Sequence, residues 1–203
     1  MTKKRNEFQI ISEFFSPLAK ESGSFNLQDD VALLDNIRNN EFIVSTDMLV
    51  EEVHFFSNDK AEDIASKLIR VNISDIVSKG GVPKYFFISI ALPKYIDDSW
   101  IKSFAKSLAI EQKKFDISLM GGDTVSTSGP LTINIVCIGL IKKNKLIRRN
   151  SAKPGDDLYV TGEVGSAKIG LEIIKNNIIA KSNKKNYFIK KYRFPDPKNK
   201  LGP

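Results

Sequence analysis

The chain is predicted to be mixed α/β of the α+β kind, with a small, mostly antiparallel sheet flanked by helices. Three observations carry this. Apolar, β-rich runs at 41–47, 84–93 and 131–141 alternate with segments at 60–79 and 97–114 that repeat apolar residues every three or four positions. VALLD (31–35) and EFIVSTD (41–47) flank an Asn/Arg turn, which predicts an antiparallel hairpin. No internal repeat is present, and the alternation of element types argues against a bundle or a sandwich.

Taken in order, residues 6–20 carry Phe8, Ile11, Phe14, Phe15 and Leu18 at helical spacing, and ESGSFNLQDD (21–30) follows as a polar loop. After the hairpin, the helix over 60–79 stops at Gly80-Gly81, residues suited to a helix C-terminus. KYFFISIALP (84–93) is a strand closed by proline, and residues 97–114 form a second amphipathic helix through Trp100, Phe104 and Leu108. DISLMGGDT (116–124) predicts a short strand running into a glycine turn. LTINIVCIGLI (131–141) is apolar enough for a central strand. AKPGDDLYVTG (152–162) predicts a turn and a short strand, and 166–176 and 184–193 two final helices. The natural division is one domain over 1–150 and a connector with the start of another over 151–203.

Composition sets limits on function. The single cysteine, Cys137, rules out an internal disulfide and fits a reducing, cytoplasmic setting. The N-terminus has no leader-like apolar run, and nothing approaches the ~18 apolar residues of a membrane span. Net charge is +7 but uneven. Residues 142–203 carry 16 Lys or Arg against 5 Asp or Glu, and the first 141 residues carry 15 against 19. This basic end lacks zinc-finger or RNP-type patterns and reads as a solvated Lys/Asn-rich surface, so no nucleic-acid partner is expected.

The chemistry concentrates in carboxylates at strand ends. Asp29-Asp30 precedes a strand, Asp47 closes the next, and Asp123 lies in Gly121-Gly122-Asp123-Thr124. Oxygen ligands of this kind suit a hard cation such as Mg2+, with Ser45 and Thr46 able to add oxygens. Taken singly, each Asp is more simply read as a turn former or helix cap. On the helix over 60–79, Ile64, Leu68, Val71 and Asp75 are spaced 4, 3 and 4, so Asp75 and its neighbour Asn72 continue faces that otherwise look buried. A buried carboxylate must be paired, protonated or metal-bound. His54, the only histidine, is by itself a weak signal. One His and one Cys exclude a zinc set, and the nucleophile-elbow, Walker A and kinase glycine-loop patterns are absent.

Q-DD at 28–30, STDMLVEEVHF at 45–55, VNISDIVSKGGVP at 71–83, ISIALP at 88–93, MGGDT at 120–124 and RRNSAKPGDDLYVTGEVGSAKIGLEI at 148–173 occur in this order. Together they resemble the thiamine-monophosphate kinase family, part of the ATP-binding superfamily related to aminoimidazole ribonucleotide synthetase. The resemblance implies ATP-dependent phosphorylation of thiamine monophosphate to thiamine diphosphate, assisted by Mg2+. It implies Asp30, Ser45, Thr46, Asp47, Asp75 and Asp123 as metal ligands, with Asp47, Asp75 and Asp123 central to catalysis. It also implies Gly122, Asp123 and Arg149 at the nucleotide, and His54 at thiamine monophosphate. Asp29 and Asn72 would support them. A homodimer is implied, its two sheets closing a shared β-barrel.

The chain departs from the family pattern at Gln28 and Glu52, where glycines are usual. The family's second α/β domain, with its D-x-S-D-G motif, does not occur here, and KKYRFPDPKNKLG resembles the connector leading into it. The chain therefore reads as an N-terminal part. Two alternatives stand beside this reading: another enzyme of the same superfamily, or a catalytically inactive dimerisation module.

Overall fold

The computed structural model describes residues 5–28, 39–148 and 150–201. Its centre is a four-stranded sheet of β1 (Asn40–Val50), β2 (Val82–Pro93), β3 (Ser118–Thr127) and β4 (Thr132–Lys142), in the order β1-β4-β2-β3. β4 pairs antiparallel with both β1 and β2, and β2 pairs parallel with β3. The fold is mixed α/β, with two antiparallel pairings and one parallel. A parallel pair needs a long crossover, and here that crossover is a helix. The hairpin partner expected at 31–35 lies outside the described residues.

The helices are the short α1 (Glu7–Ile10), then α2 (Ala61–Ser78), α3 (Asp98–Phe115), α4 (Ser166–Ile174) and α5 (Ser182–Arg193). The helix expected over 6–20 is broken: α1 passes into a π-turn at Ile11–Phe15 and a 3-10 turn at Ser16–Leu18. Pro17 lacks an N–H and interrupts the helical bonding. α2 ends where Gly80 takes φ +81 and Gly81 N–H bonds back to the Ile76 carbonyl at 3.1 Å. α3 starts at Asp97, whose carboxylate accepts the Trp100 N–H at 2.8 Å.

α2 and α3 bury their apolar stripes on one face of the sheet. Leu68, Ile69 and Ile73 of α2 and Phe104 and Leu108 of α3 meet Phe86 of β2 and Ile133 and Ile135 of β4, all 1% exposed or less. At ~1.5–3 kcal/mol per large side chain, this layer dominates the favourable side of folding. A partly buried salt bridge clasps the two helices, with Arg70 donating to both Glu111 oxygens at 2.7 and 2.9 Å.

Two expected features differ. β3 continues through Gly121-Gly122 without a turn, with an irregularity at Met120 where the pairing passes from Phe86–Leu119 to Phe87–Gly121, because the glycines allow close packing on β2. A Cβ at Gly122 would lie 1.9 Å from the Ile88 carbonyl oxygen. The strand expected within 152–162 does not form. Leu158, Tyr159 and Val160 are 93%, 85% and 61% exposed, with no described strand beside them.

Candidate functional site

Strand alternation sorts the Ser45-Thr46-Asp47 triplet. Successive side chains point to opposite faces, so Ser45 and Asp47 face α2 and Thr46 faces away. Asn134 on β4 donates to the Thr46 hydroxyl and to the Asp47 carbonyl, both at 3.2 Å. The Ser45 hydroxyl donates to Asp75 Oδ2 at 3.2 Å. Asp75 is exposed and Asn72 is fully buried, so the face carrying Asp75 leaves the core at the rim of the sheet. The expectation of a buried Asp75 is corrected accordingly: Ile76 and Val77 of the same turn are buried, while Asp75 lies at the rim beside Ser45 of β1, an edge strand of the described sheet.

α2 runs antiparallel to β1 and the turn after it. Asp75 therefore meets Ser45, and two turns earlier Lys67 meets His54, its Nζ donating to the His54 carbonyl at 2.5 Å. Between these contacts lies a cavity of ≈ 430 Å³ lined by Asp47, His54, Lys67, Val71, Lys175 and Tyr192, among others. Burial, and then the charge of Asp75, push the Asp47 carboxyl above its ordinary range, while the nearby His54 pulls the other way.

The turn after β1 is tightly tied. Val53 and His54 N–H groups both bond to the Val50 carbonyl, at 3.1 and 2.8 Å. The Val50 N–H donates to His54 Nδ1 at 3.0 Å, which leaves Nε2 as the ring's donor. Glu52 stands at φ +63, a left-handed conformation that favours glycine. Its carboxylate accepts the Ser57 N–H at 2.8 Å, which holds its pKa down.

Asp123 and Gly122 stand elsewhere. The register runs Asp47–Ile135–Ile88–Gly122 across the sheet, three strand intervals or about 14 Å. They line a second cleft, ≈ 1200 Å³, between β3 and the N-terminal turns, with Phe8, Gln9, Ser12 and Gln28. The structure thus brings Ser45, Asp47, Asp75 and His54 together. It does not bring Thr46's hydroxyl or Asp123 to them. Among the described residues, no group of three His, Cys, Asp or Glu side chains could hold a metal ion. Asp29, Asp30 and Arg149 lie outside the described residues.

Sequence reading did not find Lys67 or Tyr192. Lys67 was legible in principle, because it stands four and eight positions before Val71 and Asp75 on one helical stripe. Tyr192 lies 125 positions beyond Lys67, and no local signal links them. Ser45, Asp47 and Asp75 offer oxygen donors only, at a site where two carboxylates repel each other. That donor set suits Mg2+, which takes one or two carboxylates and completes its shell with water or phosphate.

The family described as AIR synthase related protein, N-terminal domain, matches residues 28–141. The chain is 40% identical over 196 residues to thiamine-monophosphate kinase of Buchnera aphidicola subsp. Schizaphis graminum, covering 95% of this chain and 60% of that protein. Thiamine-monophosphate kinase from Stenotrophomonas maltophilia K279a superposes with a TM-score of 0.78 at 29% identity, over 86% of this chain and 56% of that one. AaThiL complexed with AMPPCP and TMP superposes with a TM-score of 0.75 at 24% identity, over 82% and 53%. The chain spans about 60% of the length of the curated relatives it matches. No helix among the described residues is long and apolar enough to cross a membrane.

Proposed function

The chain belongs to the AIR synthase related family through its N-terminal domain, and on that premise we propose that it is the N-terminal part of a thiamine-monophosphate kinase. The reaction transfers the γ-phosphoryl of ATP to a phosphate oxygen of thiamine monophosphate, releasing ADP and thiamine diphosphate. Homology to thiamine-monophosphate kinases over about 95% of the chain supports the reading. The observation that carries it is the cluster of Ser45, Asp47 and Asp75 beside a cavity that also holds His54.

Phosphoryl transfer needs positioning and charge neutralisation more than covalent chemistry. Asp47, Asp75 and Ser45 would hold Mg2+, which when bound neutralises phosphate charge. Ser45 orients Asp75 by donating to one of its oxygens. Asn134 fixes the backbone at Asp47 by donating to its carbonyl. His54, with Nδ1 committed to the Val50 N–H, presents Nε2–H as a donor to thiamine monophosphate. Asp30 and Arg149 keep the roles that the family pattern implies for them, at metal and nucleotide.

A homodimer is part of the same proposal. β1 and β3 are the edges of the described sheet, and its face away from the helices exposes Phe42, Val44 and Met48. Pairing β3 of one copy with β1 of another would bury that face inside a barrel. It would also bring the strand bearing Asp123 beside the partner's strand bearing Asp47, a juxtaposition one chain does not make.

The test combines the purified chain with ATP, Mg2+ and thiamine monophosphate, reading thiamine diphosphate by chromatography and Mg2+-dependent ATP binding by calorimetry. Turnover, or binding lost in Asp47→Asn and Asp75→Asn, is the expected result. Nucleotide and metal binding unchanged in both variants would overturn the proposal.

A further inference from the structure

Two side chains from distant parts of the chain converge on one backbone oxygen. Lys67 Nζ, from the middle of α2, reaches the His54 carbonyl at 2.5 Å, and the Tyr192 hydroxyl, from the end of α5, reaches it at 3.3 Å. A carbonyl oxygen has two lone pairs, so both donors are accommodated. The two donors also hold each other, because the Lys67 ammonium sits 3.9 Å above the Tyr192 ring.

The surroundings fix this arrangement. Tyr192 meets Phe56 with ring centroids 6.3 Å apart. Arg193 pairs with Asp59 at 2.6 Å, and Asp59 accepts the Phe56 N–H at 3.0 Å. The last turn of α5, the loop over 54–59 and the middle of α2 therefore form one unit around His54. Burial lowers the Lys67 pKa, with the charge of Asp59 opposing that shift.

We infer that Lys67 and Tyr192 are positioning residues that clamp the His54 carbonyl, so that the placement of the imidazole in the cavity depends on α5. This rests on the reading of His54 as a contact to thiamine monophosphate. The cation supplies the stronger bond, and the tyrosine supplies a second bond and the ring that seats the cation. α5 lies outside residues 28–141, the span matched by the family domain, so the clamp ties that domain to the C-terminal helices.

His54 is the only histidine, so the Cε1–H correlation of its ring is a self-assigned signal in a 1H–13C spectrum of histidine-labelled full chain. The variants are Lys67→Met, Lys67→Arg and Tyr192→Phe, the last keeping the ring and removing only the hydroxyl. The expected result is a displaced His54 signal in Lys67→Met and Tyr192→Phe, with the wild-type position restored in Lys67→Arg. Thiamine monophosphate binding by calorimetry should weaken about tenfold in Lys67→Met and stay within about threefold of wild type in Lys67→Arg. If Lys67→Met does not fold by circular dichroism, Tyr192→Phe carries the test. A His54 signal unmoved in a folded Tyr192→Phe or Lys67→Met variant overturns the clamp, as does equal displacement in Lys67→Arg and Lys67→Met. A His54 signal that follows the Lys67 charge, in a chain that never binds thiamine monophosphate, upholds the clamp and removes the proposed function instead.

Discussion

The Ser45 hydroxyl donates to the Asp75 carboxylate across 3.2 Å, joining the middle of β1 to the last turn of α2. Asp47 shares that face, and its pKa is raised first by burial and second by the charge of Asp75. An acid whose folded pKa lies above its unfolded value favours folding while protonated. That contribution is withdrawn as pH rises from the unfolded value, 3.8, through the folded one. Without metal, Asp47→Asn should therefore raise Tm above about pH 4, with the gap closing toward about pH 3. Under the proposed function, Mg2+ raises the wild-type Tm and leaves that of Asp47→Asn unchanged. A difference constant across this pH range, read by thermal melts, would contradict the assignment.

Glu52 occupies a glycine-like position at φ +63. Its backbone N–H donates to the Phe55 carbonyl at 2.7 Å, so the conformation is locked by the turn. Glu52→Gly should fold with little change in Tm, since glycine adopts this φ without strain. Glu52→Val should lower Tm clearly, because a β-branched residue clashes there. Equal melting of the two variants would show that the turn relaxes freely.

Cys137 is 1% exposed, and burial, with the charge of Asp75, pushes its thiol up to about 12. The thiolate is the reactive form. At pH 8 the folded chain should react with iodoacetamide about 1000-fold more slowly than the urea-unfolded chain, from thiolate fraction alone. Comparable rates, measured by mass spectrometry, would show that the β4 environment opens.

Gly122→Ala would drive a methyl group into the Ile88 carbonyl, which is backbone and has no rotamer to yield. β3 must then part from β2, and the expected loss is about 3 kcal/mol in chemical denaturation, the upper end of overpacking costs. Gly129→Ala, at a site with ordinary spacing 3.4 Å from Thr127 Oγ1, should cost far less and serves as the control.

The elements that read most clearly from sequence were those with strong periodicity. α2 and α3 carry apolar stripes wide enough to define them, and β2 and β4 are runs too apolar to lie anywhere but in a core. The N-terminal segment misled because apolar spacing survives where the hydrogen bonding does not, once Pro17 has removed a donor. The Gly121-Gly122 pair misled for the opposite reason. Glycine marks turns by its freedom, yet here it marks a close backbone approach.

The residue types of the site were legible as well: carboxylates and a hydroxyl in apolar runs, one histidine soon after, and an aspartate continuing a helical stripe, although Asp47 and Asp123 lie inside β1 and β3 and not at the strand ends the sequence predicts. Sequence alone supplied the donor types, carboxylates and hydroxyls with a single histidine, a set that suits a hard cation. The partnerships were decided by tertiary structure. Alternation along β1 separates the Thr46 hydroxyl from Ser45 and Asp47, and strand order puts Asp123 three strands away from Asp47. The antiparallel run of α2 along β1 brings Lys67 to His54, and the docking of α5 adds Tyr192 from far down the chain. Spacing along a chain constrains neighbours within one element, whereas contact between elements depends on pairing order and packing direction, which no local pattern encodes.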